Sequence, residues 1–198
     1  MELHLTAEKN NGAWLQKSVE TSLLTGCRQF VFMGEAGDLQ NRELCPDANV
    51  YIVIPANGSA RPTLASASFH TVKLDREKDD LAAALLAYGY DMTQKGLFSW
   101  MGRSWFYEKE EVEAIMRSVA VLAVRGTSLL MDYIDEGVAS SPTRRMIGAV
   151  TLEATEGEKV RSSFTYTSLE AMLEKYGCVI YEHAAHTPYL SSIYAVKR

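Results

Sequence analysis

Four segments of this chain are apolar without alternation: CRQFVFM (27–33), NVYIVIP (49–55), KGLFSWM (95–101) and GTSLLMDYI (126–134). A strand with one wet face alternates polar and apolar residues; a strand that does not is covered on both faces. The segments between these runs are patterned as helices, so the chain predicts a parallel sheet with helices packed on either side, an α/β fold. In such sheets ligands lie beyond the carboxyl ends of the strands, near the point where the strand order reverses.

Leu15, Val19 and Leu23 share one helical face, and Gly26 ends that helix. FHTVKL (69–74) reads as a weaker strand, and DDLAAALLAYGY (79–90) as a helix with Leu81, Leu85 and Tyr88 on one face. EKEEVEAIMRSVAVL (108–122) opens with acids that suit a helix dipole, and Val112, Ile115, Met116 and Val119 form its apolar stripe. TSLEAMLEKYG (167–177) carries a capping box, Thr167 with Glu170, and ends at Gly177. CVIYEHA (178–184) and SSIYAVKR (191–198) read as a closing pair of strands, and residues 135–165 carry no clear pattern. No repeat or linker divides the chain, so residues 1–198 are expected to form a single domain.

Composition narrows the function. Hydrophobic residues make up 47% of the chain, which suits a globular protein. No apolar run reaches the ~20 residues of a membrane span, and MELHLTAEKNN lacks the plan of a signal peptide. Three scattered cysteines, Cys27, Cys45 and Cys178, read as reduced thiols and point to a cytoplasmic protein. The net charge of −5 and the lack of a basic stripe argue against nucleic acid as partner. The expected partner is a small-molecule substrate, with no membrane partner; a homo-oligomer is compatible with this composition.

VFMGEAGDLQNR (31–42) is a strand running into a glycine loop, with Asp38 placed to cap a short helix that Pro46 closes. Neither G-x-G-x-x-G nor G-x-x-x-x-G-K is present. The absent third glycine counts against a nicotinamide-dependent oxidoreductase.

Taken in order, these segments resemble the leucine carboxyl methyltransferase family of S-adenosylmethionine-dependent O-methyltransferases. CRQFVFMGEAGD is similar to that family's first strand and glycine loop, and VKLDREKDDLAAALLAYGYD (72–91) to its third strand, an Asp, and a helix ending Gly-aromatic-Asp. GLFSWMGRSWFYEKEEVEAIM (96–116) resembles the fourth strand, the W-E-G-x-x-x-Y segment and the next helix. GTSLLMDYID (126–135) resembles the fifth strand, and GEKVRSSFTYTSLEAMLEKYGCVIYE (157–182) a later Gly-Glu segment and the penultimate helix. The resemblance implies a Rossmann-like class I methyltransferase fold, a seven-stranded mostly parallel sheet with an antiparallel last strand. It also implies S-adenosyl-L-methionine as cofactor, with O-methylation of a small acid or hydroxyl compound as the activity.

The chain departs from the family pattern at named places. Gly34-Glu35-Ala36-Gly37-Asp38 is followed by Leu39-Gln40 where the family has Thr-Arg, and Met101 replaces the W-E-G glutamate. The second strand ends Ile52-Val53-Ile54-Pro55, without the acidic pair that holds the ribose hydroxyls. The resemblance implies a helical cover over the pocket, and this chain is expected to supply little of it. A catalytically degenerate binding or scaffold protein is therefore the alternative reading.

Under the resemblance, Gly34, Glu35, Ala36 and Gly37 receive the methionine end of the cofactor, where an ordinary strand–helix turn would also use glycine. Asp75 accepts from the adenine amine, or caps the following helix in competition with Asp79 and Asp80. Trp100 and Met101 are assigned to the cofactor on the same ground. Arg103 could hold a substrate carboxylate. Trp105 and Tyr107 face the substrate, or fill space where little cover is expected. In EHAAH (182–186) the two histidines should face opposite sides of an extended strand, which disfavours a metal site and leaves His186 as a base near the substrate. No metal is expected.

Overall fold

The computed structural model describes residues 2–33, 47–58, 68–76, 78–136, 160–187 and 189–198, with backbone alone for residues 2–12. Seven strands form one sheet: β1 (Gln29–Phe32), β2 (Asn49–Pro55), β3 (Ser68–Leu74), β4 (Gly96–Trp100), β5 (Ser128–Ile134), β6 (Cys178–Ala185) and β7 (Leu190–Lys197). Their order is β3-β2-β1-β4-β5-β7-β6. The pairs from β3 to β5 are parallel, and β7 runs antiparallel between β5 and β6. This is the mostly parallel sheet with a reversed last strand that the family resemblance implies.

Helices cover both faces, and strand alternation decides what each face meets. Phe30, Phe32, Val50, Ile52, Leu97 and Leu130 pack with Leu15 and Val19 of helix α1 (Glu2–Leu24). Val31, Tyr51, Phe98, Trp100, Leu129, Met131 and Tyr133 point the other way. They meet α2 (Leu81–Ala87), α3 (Lys109–Leu122) and α4 (Tyr166–Lys175) through Leu85, Met116, Val119 and Leu169. Gly26 ends α1 as predicted: it sits at φ +85°, where glycine carries no steric penalty.

Local chemistry fixes the element ends. Asp80 caps α2, accepting from the Ala83 N–H at 2.8 Å, and its other oxygen accepts from Ser118 of α3 at 3.0 Å. In α3 the Glu111 carboxylate accepts from the Glu108 N–H at 2.7 Å. The cap of α4 is Thr165, which accepts from the Ser168 N–H at 3.1 Å. The predicted capping box of Thr167 with Glu170 is thus replaced by a cap two residues earlier, because a hydroxyl was available there too. Glu170 instead accepts from the Tyr166 hydroxyl at 3.1 Å.

The Gly-Tyr-Asp that ends the α2 segment has a structural explanation. Gly89 turns the chain at φ +87°, and Tyr90 enters the core beside Tyr51 and Phe98. Asp91 then accepts from the Thr93 N–H at 2.8 Å, the Thr93 hydroxyl at 2.6 Å and the Gln94 amide at 2.7 Å. Those bonds hold its carboxyl below the usual range. Gly96 lies against the Tyr90 ring tip, so an added Cβ would fall well inside contact distance of that hydroxyl. Tyr90 is buried among its ring neighbours, and Gly96→Ala is expected to cost about 1–3 kcal/mol by urea denaturation. An unchanged midpoint would show that Tyr90 has room to move.

Cys27 and Cys178 are buried free thiols whose pKa values burial pushes up, while Cys45 lies outside the described residues. Among the described residues no helix is long and apolar enough to cross a membrane.

Candidate active site

The ends of β1, β2, β3 and β4 converge on a cavity of about 640 Å³, within the range of small-ligand sites. β1 delivers Met33, whose N–H still donates to the Ser99 carbonyl of β4 at 2.8 Å. β2 delivers Val53, Ile54 and Pro55; β3 delivers Leu74 and, just beyond it, Asp75 and Arg76. Trp100 closes β4, and Arg103 and Tyr107 follow it. The cavity therefore lies where the strand order turns from β1 to β4, as the general rule for such sheets requires.

The β4 loop is held by a buried carboxylate. Asp132 of β5 is fully buried and accepts from the Gly102 N–H at 2.7 Å. The Ser104 hydroxyl donates to the Asp132 backbone carbonyl. Gly102 adopts φ +76°, which turns the chain so that Arg103 and Tyr107 come back over the cavity. The Trp100 and Tyr107 rings then meet edge to face at 5.1 Å, and the Arg76 guanidinium lies 5.4 Å from the Tyr107 ring centre. Arg76 also pairs with Glu111 at 3.7 Å. Among the described residues the buried Trp100 indole N–H has no hydrogen-bond partner.

Asp75 stands at the rim and is not the helix cap, which is Asp80. Asp79 instead accepts from the Asp75 N–H at 2.8 Å, fixing the turn out of β3. The Asp75 carboxylate pairs with Lys78 at 2.8 Å and raises the pKa of that ammonium.

Of the residues singled out from the sequence, Asp75, Trp100, Arg103 and Tyr107 line this one cavity. Gly34, Glu35, Ala36 and Gly37, with the Asp38 cap and Pro46, lie outside the described residues. Three others are elsewhere. Met101 follows Trp100 and so faces the other side of the sheet, packed in the α1 layer. Trp105 packs with Phe106, Ile134 and Leu190. His186 lies edge-on to Trp14, with its Nε2 2.8 Å from the Ser192 hydroxyl. His183 is on the opposite face, 3.1 Å from the Tyr133 hydroxyl and beside Tyr166, as the strand period predicts.

Sequence reasoning passed over Asn57 and Arg76, which also line the cavity, and Asp132, which holds its loop. The signal for Asp132 was a lone acid inside SLLMDYI; a charge in a doubly covered strand needs a partner.

Burial and the neighbouring His183 push the His186 pKa below its ordinary 6.5. The unfolded chain then takes up this proton more readily than the folded one, so stability falls as pH drops through 6.5 toward the lowered value. Urea denaturation at pH 7.5 and 5.5 should show that loss, and His186→Gln should reduce it. An identical pH dependence in both proteins would contradict the assignment.

The leucine carboxyl methyltransferase family model matches residues 54–120, the stretch that contains Asp75, Trp100, Arg103 and Tyr107. The Bacillus subtilis (strain 168) protein named "Putative S-adenosyl-L-methionine-dependent methyltransferase YktD" is 29% identical over 184 residues, covering 86% of this chain and 60% of its own length. The chain thus spans less than two thirds of that relative. Among solved structures, a DUF574 family protein from Streptomyces avermitilis superposes with a TM-score of 0.67 at 17% identity, over 96% of this chain and 83% of its own. Magnesium protoporphyrin IX methyltransferase from Synechocystis, solved with bound SAH, gives 0.53 at 15% identity over 99% and 85%. The resemblance read from the sequence is borne out: the chain has a methyltransferase fold, and its residues 54–120 match the leucine carboxyl methyltransferase family.

Proposed function

We propose that this chain is an S-adenosyl-L-methionine-dependent methyltransferase whose acceptor is an oxygen of a small acid or hydroxyl compound. One observation carries the reading: the cavity at the strand-order reversal of a methyltransferase-fold sheet is walled by Trp100 and edged by Asp75. The residues present fit the cofactor. Met33, Val53, Ile54 and Leu74 offer apolar surface to a base, and the Asp75 carboxylate can accept from its amine. Gly34, Glu35, Ala36 and Gly37 are assigned to the methionine end.

When bound, S-adenosylmethionine supplies an activated methyl group. The protein's share is alignment and exclusion of water, which methyl transfer requires more than acid–base chemistry. Arg103 can orient an acceptor carboxylate with its planar fork.

Asp75→Asn is expected to weaken S-adenosylmethionine binding about 10-fold or more, since a charge-assisted hydrogen bond is exchanged for a neutral one. Quenching of tryptophan fluorescence on titration would measure it, and unchanged affinity would contradict the assignment. Methyl transfer itself is tested by S-adenosylhomocysteine release with a panel of small carboxylic acids and alcohols. The wholly apolar end of β2 favours the second reading, a fold kept for binding alone; cofactor binding without release on any acceptor would support it.

A further inference from the structure

We propose that Asn57 makes the contact to the ribose hydroxyls that the end of β2 cannot make. This rests on the reading of the cavity as an S-adenosylmethionine site. In open α/β sheets the residue after the second strand meets the ribose of a bound nucleotide, commonly through a carboxylate. Here Val53, Ile54 and Pro55 all line the cavity, and none has a side chain that hydrogen-bonds. A diol set against them would give up water without compensation.

The first side chain past this wall that can answer is Asn57, which lines the same cavity. Its position is fixed by the backbone around it. The Gly58 N–H donates to the Pro55 carbonyl at 2.8 Å and closes a tight turn. The Ala56 N–H donates to the Leu74 carbonyl at 3.1 Å, tying that turn to the residue before Asp75. A Cβ at Gly58 would lie 3.1 Å from the Pro55 oxygen, so this tight turn favours glycine at that position.

Among the described residues the Asn57 amide forms no hydrogen bond. It offers one acceptor oxygen and two N–H donors, and each ribose hydroxyl both donates and accepts. The end of β3 and the turn after β2 thus set Asp75 and Asn57 on one rim, suited to the base and the sugar of one nucleoside.

The test is calorimetric titration of the full chain and its variants with S-adenosylhomocysteine and with its 2′,3′-dideoxyribose analogue. Asn57→Ala is expected to weaken S-adenosylhomocysteine about 5- to 10-fold, the effect of one or two neutral hydrogen bonds, and to leave the dideoxy analogue unchanged. Asn57→Asp is expected to bind S-adenosylhomocysteine at least as tightly as the native chain. Asn57 is exposed, so equal melting temperatures are expected for all three proteins. Equal losses for both ligands, or no loss for either, would overturn the role of Asn57 while leaving the cofactor reading intact. Failure of the native chain to bind either ligand would overturn both.

Discussion

Replacing Asp132 by alanine is expected to destabilise the protein by about 1–3 kcal/mol and to weaken cofactor binding at the same time. The carboxylate is fully buried in β5 and accepts the Gly102 N–H at 2.7 Å. Alanine leaves that N–H without its acceptor, and an unsatisfied buried donor costs about 1–3 kcal/mol. The loss reaches the site because Gly102 starts the turn that carries Arg103 and Tyr107 to the cavity. Asp132→Asn keeps an acceptor oxygen and should lose less. Urea denaturation beside ligand titration measures both effects. Full stability with unchanged affinity would show that the turn holds itself without Asp132.

Gln29→Leu is expected to cost about 2–4 kcal/mol, with little effect on the cavity. The Gln29 side chain is fully buried and pairs with both backbone groups of Asp91. Its amide N–H donates to the Asp91 carbonyl at 2.9 Å, and its oxygen accepts from the Asp91 N–H at 2.7 Å. Leucine matches the volume but leaves both backbone groups unpaired, each worth about 1–2 kcal/mol in a partly buried place. The bond joins the start of β1 to the loop before β4, at the opposite end of these strands from the cavity. Reduced stability with native ligand affinity is the expected pattern. A native midpoint would mean that water replaces the amide.

The sheet was legible in the sequence because its signal is redundant. NVYIVIP is apolar throughout, and its strand is Asn49–Pro55, as read. In β5 the read run of 126–134 contracts to Ser128–Ile134, since Gly126 takes φ +88° and Thr127 closes a turn. The α4 cap was less legible, because Thr165 and Thr167 are chemically alike and only backbone geometry separates them.

The site was legible where position along a strand determines direction. Trp100 ends β4 facing the α2–α3 layer, and Asp75 follows β3 at its carboxyl end. The resemblance to a family motif does not determine direction by itself. Met101 stands where that motif has a glutamate, yet strand alternation turns it into the α1 layer. Trp105 and His186 depend on contacts distant in sequence, with Leu190 and with Trp14, that no local pattern encodes. Asn57 was hidden by its setting: Asn-Gly-Ser reads as a loop, and only the turn from Pro55 to Gly58 sets it in the cavity wall.

The central claim is that this cavity takes S-adenosylmethionine despite the apolar end of β2. Calorimetric titration of the chain with S-adenosylmethionine and, separately, S-adenosylhomocysteine tests it most directly. The account predicts one site of micromolar affinity, about −8 kcal/mol, with a matching rise in melting temperature. No heat at millimolar ligand, with no shift in melting temperature, would contradict it and leave a methyltransferase fold used for another purpose.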